Sequence, residues 1–209
     1  MPSLKDLKIR INTVKSTQKI TSAMKMVASA KLKKAQEKAE SSRPYAKRMS
    51  QIISDLAKKS STDSGPELLF GKHDKKNVLI VAISADRGLC GGFNTNIIKK
   101  AKLYFQKVLD EGKNLKIITV GSKGYDQLKR AYKDNIIEKI SFKDSKYANY
   151  FDAEKVGKVI IDKFEKKEFD VCTIFYNQFK NVITQIPQEQ QIIPLKESES
   201  EGSSNEDNY

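Results

Sequence analysis

From Asn77 to Asn94 the chain reads NVLIVAISADRGLCGGFN. Its first part, Asn77 to Ser84, is a nearly unbroken apolar run with several β-branched residues. That texture suits a strand buried on both faces. The second part, Ala85-Asp86-Arg87-Gly88-Leu89-Cys90-Gly91-Gly92-Phe93-Asn94, is a glycine-containing connection. Helical spacing follows it at Ile97, Ile98, Ala101, Tyr104, Phe105 and Val108. A strand, a tight connection and a helix in that order open an α/β layer.

The same alternation continues toward the C-terminus. Leu115 to Val120 reads as a second strand, Ser122 to Tyr132 as a short helix, and Asn135 to Phe142 as a third strand. Phe151 to Phe164 is helical, with Val156, Val159, Ile160 and Phe164 on one face. Asp170 to Tyr176 is a strand; a tight turn around Asn177 to Lys180 leads to another at Asn181 to Pro187, and Gln188 to Leu195 can add an edge strand. Strands alternating with helices imply an α/β fold with a largely parallel sheet, spanning 77–195.

Upstream the texture differs. Ser3 to Arg43 contains neither Gly nor Pro, and at roughly 1.5 Å per residue its 41 residues make a rod about 60 Å long. Ser3 is placed to cap the helix, with Asp6 as its capping-box partner. Leu4, Leu7, Ile11, Val14, Ala28, Leu32, Ala35 and Ala39 fall on a heptad frame, whereas Gln18, Thr21 and Lys25 break it. Across the break the stripe slips to Ile20, Met24 and Val27, as at a coiled-coil stutter. Pro44 is expected to interrupt this helix or start a second one, which keeps helical spacing from Tyr45 through Leu56 to about Lys59. Residues 60–76 lose the pattern and form a linker, with the only histidine, His73, solvated among charges.

Of the net charge of +13, residues 1–59 hold 15 Lys/Arg against 4 Asp/Glu, and residues 196–209 hold one Lys against five Asp/Glu. A basic rod suits an acidic partner: nucleic acid, anionic lipid or an acidic protein surface. It lacks interleaved aromatics and any helix-turn-helix or RNA-binding signature, which disfavours nucleic acid. Cys90 and Cys172 show no metal-type spacing and are expected to be buried thiols in a reducing compartment. No apolar run is long enough to span a bilayer. The N-terminus resembles neither a signal peptide nor a transit segment.

The glycines of 85–94 and of Gly121-Ser122-Lys123-Gly124 invite phosphate binding at strand–helix turns. Neither matches G-x-G-x-x-G or G-x-x-x-x-G-K-[ST], so a nucleotide-binding enzyme is the alternative rather than the leading reading. Cys90 has no base at hand, and no catalytic, cofactor or metal constellation is legible.

Two segments carry a resemblance. Thr17-Gln18-Lys19-Ile20-Thr21-Ser22-Ala23-Met24-Lys25-Met26-Val27-Ala28 and Ser84 to Asn94 closely resemble the gamma subunit of the rotary ATP synthases. Weaker likeness runs through Gly121 to Gly124 and Phe175 to Phe179 to about Leu195. The resemblance implies a long N-terminal coiled-coil helix plus a Rossmann-like α/β foot. It implies a non-catalytic rotor that couples proton flow to nucleotide affinity at beta-subunit sites. Implied partners are the alpha and beta subunits, the epsilon subunit and the c subunits of the membrane ring, with no cofactor of its own. The implied location is peripheral, at the cytoplasmic face of a bacterial inner membrane. Ile20, Met24, Lys25, Met26, Val27, Arg87, Gly88 and Cys90 are the implied partner contacts: Met24 faces the beta lever, and Arg87 bonds a beta carboxylate. The family's C-terminal helix has no counterpart here, so 196–209 is expected to be the approach to a missing helix.

Overall fold

The computed structural model describes residues 3–59, 65–71, 75–145 and 149–195. His73 and the segment 196–209 lie outside the described residues. Two compact units are distinguished, Met1–Ile53 and Ser54–Tyr209.

The run at Asn77–Ile83 forms β1, the middle strand of a five-stranded sheet. It leads into α3 (Phe93–Asp110), β2 (Asn114–Val120), α4 (Ser122–Leu128), β3 (Ile136–Ile140), α5 (Tyr150–Glu165), β4 (Val171–Phe179) and β5 (Gln185–Ile193). A single turn of helix, α2 (Glu67–Phe70), precedes β1. The order is β3-β2-β1-β4-β5; the first four strands are parallel and β5 is antiparallel to β4. Both faces of β1 are buried, as its composition requires. Val78, Ile80 and Ala82 pack with Ile97, Ala101 and Phe105 of α3 and Leu128 of α4. Leu79 and Val81 pack on the other face with Ile160 of α5 and Phe169. Strand order reverses between β1 and β4, and the helices leaving β1 and entering β4 cover opposite faces. This is the switch point at which doubly wound sheets open a crevice.

Several boundaries differ from expectation. Residues 181–195 do not make two strands: the turn lies at Lys180–Thr184, and one strand follows it. The cause is local. Asn181 Oδ1 accepts from the N–H groups of Ile183 and Thr184 at 3.0 and 2.7 Å. The Thr184 carbonyl accepts from Lys180 and Asn181, so Asn177 to Phe179 stay in the ladder opposite Pro187 to Gln185. α4 is shorter than expected because the chain turns at 129–132 to set Tyr132 edge-on against Phe105, with ring centres 5.1 Å apart.

In the N-terminal unit, Ser3 and Asp6 cap α1 (Leu4–Lys59) reciprocally: Asp6 N–H donates to Ser3 Oγ at 3.3 Å and Ser3 N–H to Asp6 Oδ2 at 3.1 Å. Pro44 does not interrupt the helix, which runs from Leu4 to Lys59. On a solvated helix the Glu40 carbonyl that Pro44 leaves unpaired is free to take water. The proline therefore removes one hydrogen bond without ending the helix, and apolar spacing persists on both sides.

Candidate functional site

The connection after β1 is held in place from both sides. Ser84 continues the strand, its N–H donating to the Val120 carbonyl at 2.7 Å, while its Oγ accepts the Gly124 N–H at 2.8 Å. Asp86 then turns its carboxylate toward the start of α4 and the end of β3. It accepts from the N–H and hydroxyl of Ser122 at 2.8 and 2.6 Å, from the Ser141 hydroxyl at 2.7 Å and from the Phe142 N–H at 2.9 Å. Partial burial works against the charged carboxylate. The hydrogen bonds from the Ser122 and Ser141 side chains and from the Ser122 and Phe142 backbone outweigh it and hold the group down at about 2.

On the other side stands Asn94, buried at the start of α3. Its Oδ1 accepts the Ala85 N–H at 2.8 Å and its Nδ2 donates to Cys90 Sγ at 3.1 Å. Between these two anchors Arg87, Gly88, Leu89, Cys90 and Gly91 are exposed. Leu89 is fully exposed, in the left-handed region at φ +59. No described residue pairs with the Arg87 guanidinium. A side chain at Gly88 would meet only the Lys123 stem, at 3.7 Å, so the fold does not require glycine there. Cys90 departs from expectation: it is exposed, with its Sγ held by the Asn94 amide, whereas Cys172 is buried in β4 and burial pushes its thiol up to about 12.

The glycine turn at 121–124 is filled by the protein itself. The first four N–H groups from Gly121 donate to Ile140 O, Asp86 Oδ1, Ala85 O and Ser84 Oγ, so this helix start holds its own carboxylate where a phosphate would sit. Gly121 has φ +95, and a Cβ there would overlap the Ser84 carbonyl. Sequence reasoning quoted both segments but missed that Asp86 of one pairs with Ser122 of the other.

The remaining candidates lie on α1, in the other unit. Ile20, Met24 and Val27 share one face and are exposed by 57–63%. Met26 is also exposed, but about 200° around the helix from Met24, so the two methionines face different directions. The hydroxyls of Thr13, Thr17 and Thr21 donate to the carbonyls of Ile9, Thr13 and Thr17, beside a shallow groove that includes Val14, Gln18 and Lys25. Among the described residues no group of His, Cys, Asp and Glu could hold a metal ion, and no helix is long and apolar enough to cross a membrane.

A family model for ATP synthase matches residues 3–209. The ATP synthase gamma chain of Pelagibacter ubique is 70% identical over all of this chain and 72% of its own length. That of Roseobacter denitrificans is 51% identical over 97% of this chain and 70% of its own length. A cryo-EM structure of the central stalk and c-ring of the Tetrahymena thermophila mitochondrial ATP synthase superposes with a TM-score of 0.66 at 27% identity. It covers 84% of this chain and 72% of the matched one. The chain belongs to the ATP synthase gamma-chain family, the non-catalytic central-stalk subunits of the F-type enzyme.

Proposed function

We propose that this chain is the turning shaft that couples proton flow through a membrane ring to ATP synthesis or hydrolysis at beta-subunit sites. The observation that carries the reading is α1. This helix holds an exposed apolar stripe, including Leu4, Leu7, Ile11, Val14, Ile20, Met24 and Val27, in a segment with 15 cations against 4 carboxylates. Such a surface gains free energy only when another protein covers it. Each large apolar side chain fully buried contributes roughly 1.5–3 kcal/mol. The cations favour a sleeve with acidic loops.

A shaft inside a ring of alternating alpha and beta subunits acts as a ligand that touches each beta conformer differently. It biases their populations by the difference in contact energy, and turning it redistributes that bias. Met24, with Ile20 and Val27, bears on the beta lever; Lys25 and Met26 point to neighbouring subunits on other sides. Arg87, presented by the Asp86 and Asn94 anchors and flanked by Gly88 and Cys90, bonds a beta carboxylate. Residues 1–59 form the shaft segment, 60–76 the linker and 77–195 the foot, which meets the epsilon subunit and the c ring at the cytoplasmic face of a bacterial inner membrane. Co-purification with alpha and beta subunits tests the reading. A stoichiometric complex that dissociates with rising salt supports it, and recovery of the chain alone at low salt refutes it.

A further inference from the structure

The switch point between β1 and β4 is not a bare crevice. A cleft of about 360 Å³ opens there, lined by Gly91, Gly92, Asn96, Asn177, Ile183 and Thr184 among others. One wall is the loop that carries Arg87; the other is the β4–β5 turn. That turn exposes two β-branched side chains, Ile183 by 93% and Val182 by 62%. Its hydrogen bonds hold it firmly. Besides the Asn181 contacts, Gln185 Nε2 donates to the carbonyls of Asn181 and Val182 at 3.2 and 3.0 Å. A rigid turn that holds apolar side chains in water has already met the ordering cost of binding. Leu89, fully exposed on a left-handed backbone, stands on the loop that forms the opposite wall.

The charge around the cleft is one-sided. No residue lining the cleft carries a charge, and the nearby Asp86 carboxylate is turned away onto Ser122 and Ser141. Arg87 and Lys180 are exposed, one on each wall's loop. The lining is polar: the side chains of Asn96, Asn177, Thr184 and Gln185 bring amides and a hydroxyl to it. A concave, polar floor between apolar rims and cations fits an inserted peptide loop better than a flat lipid surface.

We propose that the β4–β5 turn and the Arg87 loop are two jaws of one docking cleft, and that its occupant is an acidic loop of the partner protein whose carboxylate meets Arg87. Val182, Ile183 and Leu89 pack against the loop's apolar residues, and Lys180 supplies a second positive charge. The proposal rests on the reading of the chain as a subunit that docks on an alpha–beta assembly, and it extends that contact to a hairpin far from Arg87 in sequence.

The test measures binding of the full chain to a purified alpha–beta hexamer, and separately to phosphatidylglycerol vesicles. The variants are Val182→Ser with Ile183→Ser, and Lys180→Glu. All three positions are exposed, so unchanged circular dichroism and thermal midpoint are expected. Loss of the two apolar contacts should weaken hexamer binding about tenfold or more. Lys180→Glu should weaken it mainly at low salt. Failure of the unmodified chain to bind overturns the docking reading together with this proposal. Tight binding by the unmodified chain, with the double variant within twofold of it, overturns this proposal alone. So does a loss confined to the vesicles, which would make the turn a membrane contact.

Discussion

The Asp86 carboxylate bonds both the N–H and the hydroxyl of Ser122, across 36 residues of sequence, at 2.8 and 2.6 Å. This pair closes the start of α4 and sets the direction in which the chain leaves β1. Arg87, the next residue, is aimed by it.

Removing the clamp should loosen the loop before it harms the sheet. Asp86→Ala leaves the N–H groups of Ser122 and Phe142 without their acceptor and should destabilise by about 1–3 kcal/mol, read from urea unfolding. The carboxylate titrates at about 2 in the folded chain against an ordinary 3.8. Its folded value is lowered, so its contribution is present above about pH 4 and fades as pH falls toward 2. The unmodified chain should therefore lose more stability than Asp86→Asn over that window.

Gly121→Ala should be worse than an ordinary surface change. The residue sits at φ +95 and its new methyl would overlap the Ser84 carbonyl. A loss of about 3 kcal/mol or more is expected in the same unfolding measurement. Gly88→Ala, in open space beside Lys123, should leave stability within about 0.5 kcal/mol.

The two thiols should separate cleanly. Cys90 is exposed and Cys172 is buried, with its thiol pushed up to about 12. A maleimide should label one cysteine per chain under native conditions and both in denaturant, with mass mapping placing the first label at Cys90.

The opposed directions of Met24 and Met26 make a paired test on α1. Both are exposed, so neither Met24→Lys nor Met26→Lys should change helix content. Met24 shares its face with Ile20 and Val27, and Met26 does not. Coupling should fall severalfold more for the first than for the second, measured as protons pumped per ATP hydrolysed.

The parts of the fold legible in sequence were those whose signals are local. Asn77–Ile83 is apolar on both faces because both faces are covered, so its composition alone marks a central parallel strand. Ser3 and Asp6 stand three residues apart and announce their cap. Pro44 misled because its effect depends on solvent around the Glu40 carbonyl. The β5 boundary misled because Asn181, not the expected Asn177 to Lys180, makes the turn. The site was half legible. Ser84 to Asn94 stands out by its residues, but what stiffens it lies at Ser122, Ser141 and Phe142, up to 56 residues away. Nothing in the loop's own sequence shows that Cys90 is exposed or that Asp86 turns onto Ser122 and Ser141.

Coupling is the central claim, and Arg87 and Met24 carry it from the two units. The most direct measurement is ATP-driven proton pumping by membrane vesicles bearing the assembled complex, with ATP hydrolysis followed in parallel. With Met24→Lys, a cation added on the proposed bearing face should leave assembly and hydrolysis largely intact and cut pumping severalfold. With Arg87→Ala, loss of the proposed contact to a beta carboxylate should weaken assembly or slow hydrolysis. Full pumping by the Met24→Lys complex, at an unchanged ratio to hydrolysis, would contradict the account.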